Sequence, residues 1–94
     1  MEQKKRKAVR GLREQLLTLI NGWDPAGVLE SGGQRDEYGR VVDELLSLLS
    51  QQPTTKQLAH FLESEIAEYF GAVPNGASQF ATKAISWYRI ASAE

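Results

Sequence analysis

Apolar residues recur at intervals of three and four along most of the 94-residue chain, and this spacing strongly limits the possible folds. It places apolar side chains on one face of an α-helix, whereas a half-buried strand needs them at every second position. The spacing is found in four segments: residues 3–20, 36–51, 54–70 and 77–92. The sequence therefore predicts one all-α domain over residues 1–94, a small four-helix bundle packed mostly antiparallel.

The segment 36–51 has the widest apolar arc and is predicted to be the central helix. Its apolar residues are Tyr38, Val41, Val42, Leu45, Leu46, Leu48 and Leu49. An arc of this width needs two neighbouring helices to cover it. We therefore expect Leu45 to lie in the core, where a charged replacement would unfold the domain.

Local capping signals mark the ends of the last two helices. Thr54 and Gln57 have the spacing of a capping box, in which each side chain binds the backbone N–H of the other residue. Gly71 is predicted to end the third helix, because glycine enters the left-handed conformation without strain. After Pro74, Asn75 is predicted to cap the fourth helix.

Glu65 falls inside the apolar stripe of the third helix, where an unpaired carboxylate is costly. The pattern favours a position at the edge of the stripe, from which the carboxylate reaches solvent. The alternative is a pairing inside the fold with Arg13, Arg40 or the indole of Trp23.

Residues 21–38 form the stretch that helical periodicity does not explain. Trp23 is predicted to anchor this loop on the core while its indole N–H finds a carbonyl. Asp24 and Pro25 are typical of a helix start and predict a short helical turn over residues 25–29. Asp36 and Glu37 are predicted to begin the second helix, since carboxylates favour its N-terminal end.

The same stretch carries a recognisable pattern, made of the residues Trp23, Asp24, Pro25, Ala26, Gly27 and Val28 followed by Asp36, Glu37 and Tyr38. It resembles the W-D-P-x-G-V and D-E-Y-D signature of a family of small uncharacterised bacterial proteins, over residues 16–71. Gly39 stands where that signature has its last Asp. The resemblance implies an all-helical fold in the bacterial cytoplasm and brings no activity.

Charge is distributed unevenly along the chain. The residues through Arg13 include six basic and one acidic side chain, and the remainder includes five basic and eleven acidic ones. The basic cluster predicts, as one alternative, nucleic-acid binding through Lys4, Lys5, Arg6, Lys7 and Arg10. The other interpretation is a solvated arm, frayed over residues 1–7, and no aromatic residue is interleaved there for base stacking.

Several chemistries lack their residues. The chain has no cysteine and one histidine, His60, which excludes thiolate metal sites and makes other zinc sites improbable. No phosphate-binding glycine loop or nucleophile with its base is present. The carboxylates of residues 24, 36, 37, 43 and 44 lack calcium-loop spacing. We therefore expect no enzyme, cofactor or metal site.

The charged start of the chain predicts neither a signal peptide nor a membrane span, and favours the cytoplasm. The function favoured by the sequence is protein–protein interaction or self-association, including a homodimer. The candidate surface lies on the fourth helix and consists of Ile85, Trp87, Tyr88 and Ile90. A further alternative is an acidic inhibitor or immunity-type protein that covers a basic enzyme with Asp43, Glu44, Glu63 and Glu68.

Overall fold

The computed structural model describes the backbone of residues 2–93 and the side chains of residues 11–93. It contains four helices, α1 (Glu2–Trp23), α2 (Gly39–Leu49), α3 (Thr55–Phe70) and α4 (Ala77–Ala91). Residues 2–93 contain no strand. The predicted all-α, four-helix fold is confirmed.

The helices form a closed ring around one core. Each helix packs against the next one in the chain, and α1 also packs against α4. The most extensive packing is between α3 and α4. The two predicted neighbours of α2 are thus α1 and α3, and Leu45 is fully buried as expected. The largest fully buried side chains come from α1, α2, α3 and the residue before α2: Leu16, Leu17, Ile20, Tyr38, Val41, Val42, Leu45, Leu58, Leu62 and Ile66.

The local signals set both ends of α3 correctly. Thr54 Oγ1 accepts a hydrogen bond from the backbone N–H of Gln57 at 3.1 Å, and Gln57 Oε1 accepts one from the N–H of Thr54 at 2.9 Å. Gly71 ends the helix with a φ of +65°, and its N–H donates to the carbonyl of Ala67 at 3.0 Å. The capping box and the glycine stop are therefore confirmed.

The predicted cap of α4 is wrong. The residue before the helix is Gly76, in the left-handed conformation at φ +83°, and no side chain caps the first turn. Asn75 lies one residue too early for the capping position. Its carbonyl instead accepts a hydrogen bond from the indole N–H of Trp23 at 2.7 Å.

The predicted start of α2 is also wrong, because the helix begins at Gly39 and not at residue 36. Asp36 and Glu37 are exposed in a turn. Its backbone hydrogen bonds join residues three apart, as in that from the Gly39 N–H to the Asp36 carbonyl at 2.9 Å. Tyr38 flanks the helix with φ −90° and ψ 9°, and its side chain is fully buried. The helix thus begins three residues later than predicted, directly after a tyrosine that is buried by tertiary contacts.

Candidate functional site

The connection between α1 and α2, residues 24–38, is called here the signature loop, and it is organised around the carboxylate of Asp24. Oδ1 accepts hydrogen bonds from the Tyr38 hydroxyl at 2.6 Å and from the Leu29 N–H at 3.1 Å. Oδ2 accepts from the Glu30 N–H at 3.0 Å. The short helical turn predicted over residues 25–29 is not formed, because these residues adopt turns and bends. Asp24 instead binds amides five and six residues ahead.

Tyr38 joins this carboxylate to the core. Its ring is fully buried and lies 5.1 Å from that of Phe70, centroid to centroid. Its hydroxyl donates to Asp24 and accepts from the Ala26 N–H at 3.0 Å. The sequence placed Tyr38 in the core but missed its pairing with Asp24. The signal for it was that a buried tyrosine hydroxyl needs a hydrogen-bond partner.

The two side chains perturb each other's protonation. Burial and donation to Asp24 raise the pKa of Tyr38 to about 12. Burial alone would raise the pKa of Asp24, but hydrogen bonds from the Tyr38 hydroxyl and from the backbone of Glu30, Leu29 and Val28 lower it below its usual value. At neutral pH, Asp24 is therefore an ionised acceptor and Tyr38 a neutral donor.

Trp23 attaches the start of the signature loop to α4. Its ring stacks on that of Phe80 with a centroid distance of 4.6 Å and an interplanar angle of 16°. Its N–H donates to the carbonyl of Asn75, so both parts of the Trp23 prediction are confirmed. At the far side of the loop, the amide of Asn21 donates to the Arg35 carbonyl at 2.9 Å.

These contacts give Trp23, Asp24 and Tyr38 a structural role. Trp23 attaches the start of the signature loop to α4, and the hydrogen bond between Tyr38 and Asp24 joins the two ends of the loop. Pro25 is half-buried in the first turn of the loop. Asp36 and Glu37 are exposed and contribute no side-chain hydrogen bond to the described network. The arrangement holds a loop in place and presents no nucleophile with its base.

Glu65 is half-buried, so the favoured position at the solvated edge of the stripe is met only in part. Its Oε2 is buried, with no hydrogen-bond donor among the described residues. The arginines proposed as its partners pair elsewhere: Arg13 Nε lies 2.7 Å from Asp43 Oδ1, and Arg40 Nε lies 3.5 Å from Glu44 Oε1. The alternative pairing with Arg13 or Arg40 is therefore not formed, and burial of one carboxylate oxygen is a feature that spacing within α3 does not reveal.

The proposed acidic surface is accordingly less negative than its composition indicates. Asp43 and Glu44, its two members on α2, each form an ion pair with an arginine. Glu63 and Glu68 on α3 are exposed. Among the ion pairs of residues 11–93, two thus offset part of the negative charge that this surface would use to attract a basic enzyme.

The four residues proposed as an interaction surface on α4 occupy two sides of its C-terminal half. Ile85 and Tyr88 line a cleft of about 500 Å³ together with Leu49, Pro53 and Arg89. Trp87 and Ile90 line a second cleft of about 310 Å³ beside Gln15 of α1.

Burial differs among these four residues, which are called the α4 surface below. Ile90 is 76% exposed, whereas Ile85, Trp87 and Tyr88 are half-buried and pack against the core. The indole N–H of Trp87 donates to Gln15 Oε1 at 3.0 Å, a contact with α1 that the sequence did not reveal.

The basic cluster, Lys4, Lys5, Arg6, Lys7 and Arg10, lies outside the residues whose side chains the structure describes. The backbone of residues 2–7, which was predicted to fray, is helical and belongs to α1. In the described part of the chain, no group of three or more histidine or carboxylate side chains could hold a metal ion. No helix there has the length and apolarity needed to cross a membrane.

The sequence matches no protein-family model, and no curated protein or solved structure is significantly similar to it.

Proposed function

We propose that the protein is a non-enzymatic interaction domain that binds another protein, or a second copy of itself, through the α4 surface. The observation that carries this proposal is the 76% exposure of Ile90 next to the cleft that it forms with Trp87. A single exposed apolar residue is ordinary. An exposed isoleucine beside a half-buried tryptophan forms a larger apolar area than either residue alone, which is typical of an interaction site.

The polar atom of Trp87 favours this use of the surface. Its N–H is already bound to Gln15 within the chain. A buried donor without an acceptor costs about 1–3 kcal/mol. A partner that covers the indole avoids this cost, because the N–H keeps its acceptor. The ring presents a large apolar area, and tryptophan and tyrosine are enriched among residues that dominate binding energy.

The chain offers a matched control for a test of this surface. Val73 is 88% exposed and lies in the α3–α4 connection, before the start of α4. Ile90 is near the end of α4, so about 20 Å of helix separates it from the start of α4, where the connection with Val73 joins the helix. Ile90→Glu and Val73→Glu place the same charge at two exposed apolar positions, and neither change disturbs the core.

The experiment captures partners on each tagged variant from a lysate, with and without nuclease, and measures solution mass by sedimentation equilibrium. We expect the wild-type chain and Val73→Glu to retain the same protein or dimer mass, and Ile90→Glu to lose it. Equal retention by both variants would refute the α4 surface. Loss of all captured material after nuclease would instead support nucleic-acid binding through the basic cluster.

A further inference from the structure

A cleft opens at one end of the bundle, between the end of α2 and the C-terminal half of α4. These two helices are not neighbours in the ring, so their ends leave a gap. The gap has a volume of about 500 Å³ and is called here the α2–α4 cleft. Pockets that hold small molecules have volumes of about 300–1,000 Å³, so the cleft has room for one.

The lining of the α2–α4 cleft combines an apolar wall with a single charge. Leu49, Pro53 and Ile85 form the apolar wall, and Tyr88 adds an aromatic ring. Arg89 is the one charged residue in the described lining, which includes no carboxylate. Small-molecule sites are mostly apolar with a few placed polar groups, and the charge of those groups selects the ligand. This lining favours an anion with an apolar body.

The guanidinium of Arg89 has no carboxylate partner within residues 11–93. The other arginines of this range, Arg13, Arg35 and Arg40, each form an ion pair with a carboxylate. Arg89 is exposed and lies on α4, which contains one more cation, Lys83, and no acidic residue. A guanidinium binds a carboxylate through two parallel N–H···O hydrogen bonds. Arg89 can therefore offer both bonds to a ligand.

The helix ends around the cleft have carbonyls that are already hydrogen-bonded within the chain. The Ser50 N–H donates to the Leu46 carbonyl at 3.1 Å. The Ser92 N–H donates to the Tyr88 carbonyl at 2.9 Å. Free carbonyls carry the negative charge of a helix C-terminus, so these bonds reduce its repulsion of an anion.

Gln52 adds a polar group to the same end of the bundle. It lines the cleft with its backbone at φ +56°, in the left-handed region that favours glycine. A non-glycine residue is uncommon there, and such strained residues cluster at ligand sites. Its side-chain amide carries two N–H donors, which suit a carboxylate oxygen.

We propose that the α2–α4 cleft binds a small amphipathic carboxylate, a molecule with one carboxylate on a short aliphatic or aromatic body. The carboxylate pairs with the guanidinium of Arg89, and the body lies against the apolar wall. Ile85 and Tyr88 also belong to the α4 surface. The ligand needs no protein partner, however, so the site is independent of the proposed function.

The test is an NMR titration of the isotope-labelled chain that follows the backbone amides of residues 49–52 and 85–92. The probes are phenylacetate and hexanoate. Phenylacetamide is the neutral analogue of phenylacetate, and acetate is a carboxylate without the apolar body. Arg89→Gln removes the charge and Arg89→Lys keeps it. Lys83→Gln is the matched control, since it removes a cation from an exposed position of α4 outside the cleft. Ile90→Ala trims the other cleft.

We expect phenylacetate and hexanoate to shift both groups of amides to saturation. Phenylacetamide and acetate should bind more weakly, because each lacks one of the two contacts. Arg89→Gln should weaken phenylacetate binding by about tenfold or more, the contribution of a charge-assisted hydrogen bond. Arg89→Lys should retain part of the affinity, and Lys83→Gln and Ile90→Ala should retain all of it.

The proposal is overturned if neither carboxylate probe shifts these amides, or if phenylacetamide binds as tightly as phenylacetate. Equal weakening by Arg89→Gln and Lys83→Gln would overturn it too, because the effect would then come from net charge. A loss of binding in Ile90→Ala would place the ligand in the other cleft, against the proposal. If Arg89 serves only the helix dipole, Arg89→Gln will lower the melting temperature and leave phenylacetate binding unchanged, which also overturns it.

Discussion

Replacement of Tyr38 by phenylalanine removes one oxygen from the centre of the signature loop and keeps the buried ring in place. The change deletes the donor to Asp24 Oδ1 at 2.6 Å and the acceptor of the Ala26 N–H at 3.0 Å. A hydrogen bond to a charged group contributes about 1.5–3 kcal/mol and a neutral one about 0.5–1.5 kcal/mol. We therefore expect Tyr38→Phe to lower the free energy of unfolding by about 2–4 kcal/mol.

The assay is urea unfolding followed by circular dichroism at pH 7, together with thermal melting. For a domain of this size, the expected loss lowers the melting temperature by roughly 10 °C or more. Tyr69→Phe is the control, since it removes a hydroxyl from an exposed tyrosine and should leave stability unchanged. A double-mutant cycle with Asp24→Asn should give an interaction energy of about 1 kcal/mol or more.

The same variant has an expected pH dependence. The pKa of Asp24 lies below its usual value, so its contribution to stability is present above the unfolded pKa of about 3.9 and is lost as pH falls through the folded value. The gap between wild type and Tyr38→Phe should narrow in strong acid. A loss under about 0.5 kcal/mol at pH 7, or a gap undiminished in acid, would refute this account of the signature loop.

The remaining predictions concern the core and two glycines. Leu45→Asp places an uncompensated charge at a fully buried position and should cost more than about 4 kcal/mol, seen as loss of helical circular dichroism; an unchanged melting temperature would contradict it. Gly33→Ala brings a Cβ into overlap with Val28 Cγ1 and to 2.7 Å from the Val28 carbonyl oxygen, and should destabilise the fold by about 1–3 kcal/mol. Gly11→Ala, whose Cβ meets no atom of the described residues within 4 Å, should instead stabilise α1 by about 0.5–1 kcal/mol. Melting temperatures measured by calorimetry check the last two predictions, and equal values for the two alanine variants would refute them.

The helices were predictable because their signals are local. The capping box at Thr54 and the glycine at position 71 act on backbone groups within a few residues, so the sequence placed α3 correctly. The start of α2 was not predictable in the same way. Asp36 and Glu37 suit a helix start, but the turn before Gly39 goes with a buried Tyr38, whose hydroxyl partner lies 14 residues earlier.

The polar contacts of the candidate sites were harder to predict, because each needs two distant segments. The acceptor for the Trp23 indole could be expected, but its identity as Asn75, 52 residues away, depends on how α4 packs. Glu65 was recognised as unusual within α3. The burial of its Oε2 could not be predicted, since spacing along one helix does not say which groups of the fold lie against it.

The closure of the helical ring by its first and last members has a consequence for synthesis of the protein. Trp23 is synthesised more than 50 residues before its partners, since the ring on which it stacks belongs to Phe80 and its hydrogen-bond acceptor to Asn75, 52 residues later. The side of α1 that faces α4 therefore stays uncovered on the growing chain until α4 has been translated. Until then, the apolar surface of a nascent chain is open to chaperones, and the full core forms only after nearly all of these residues have been added.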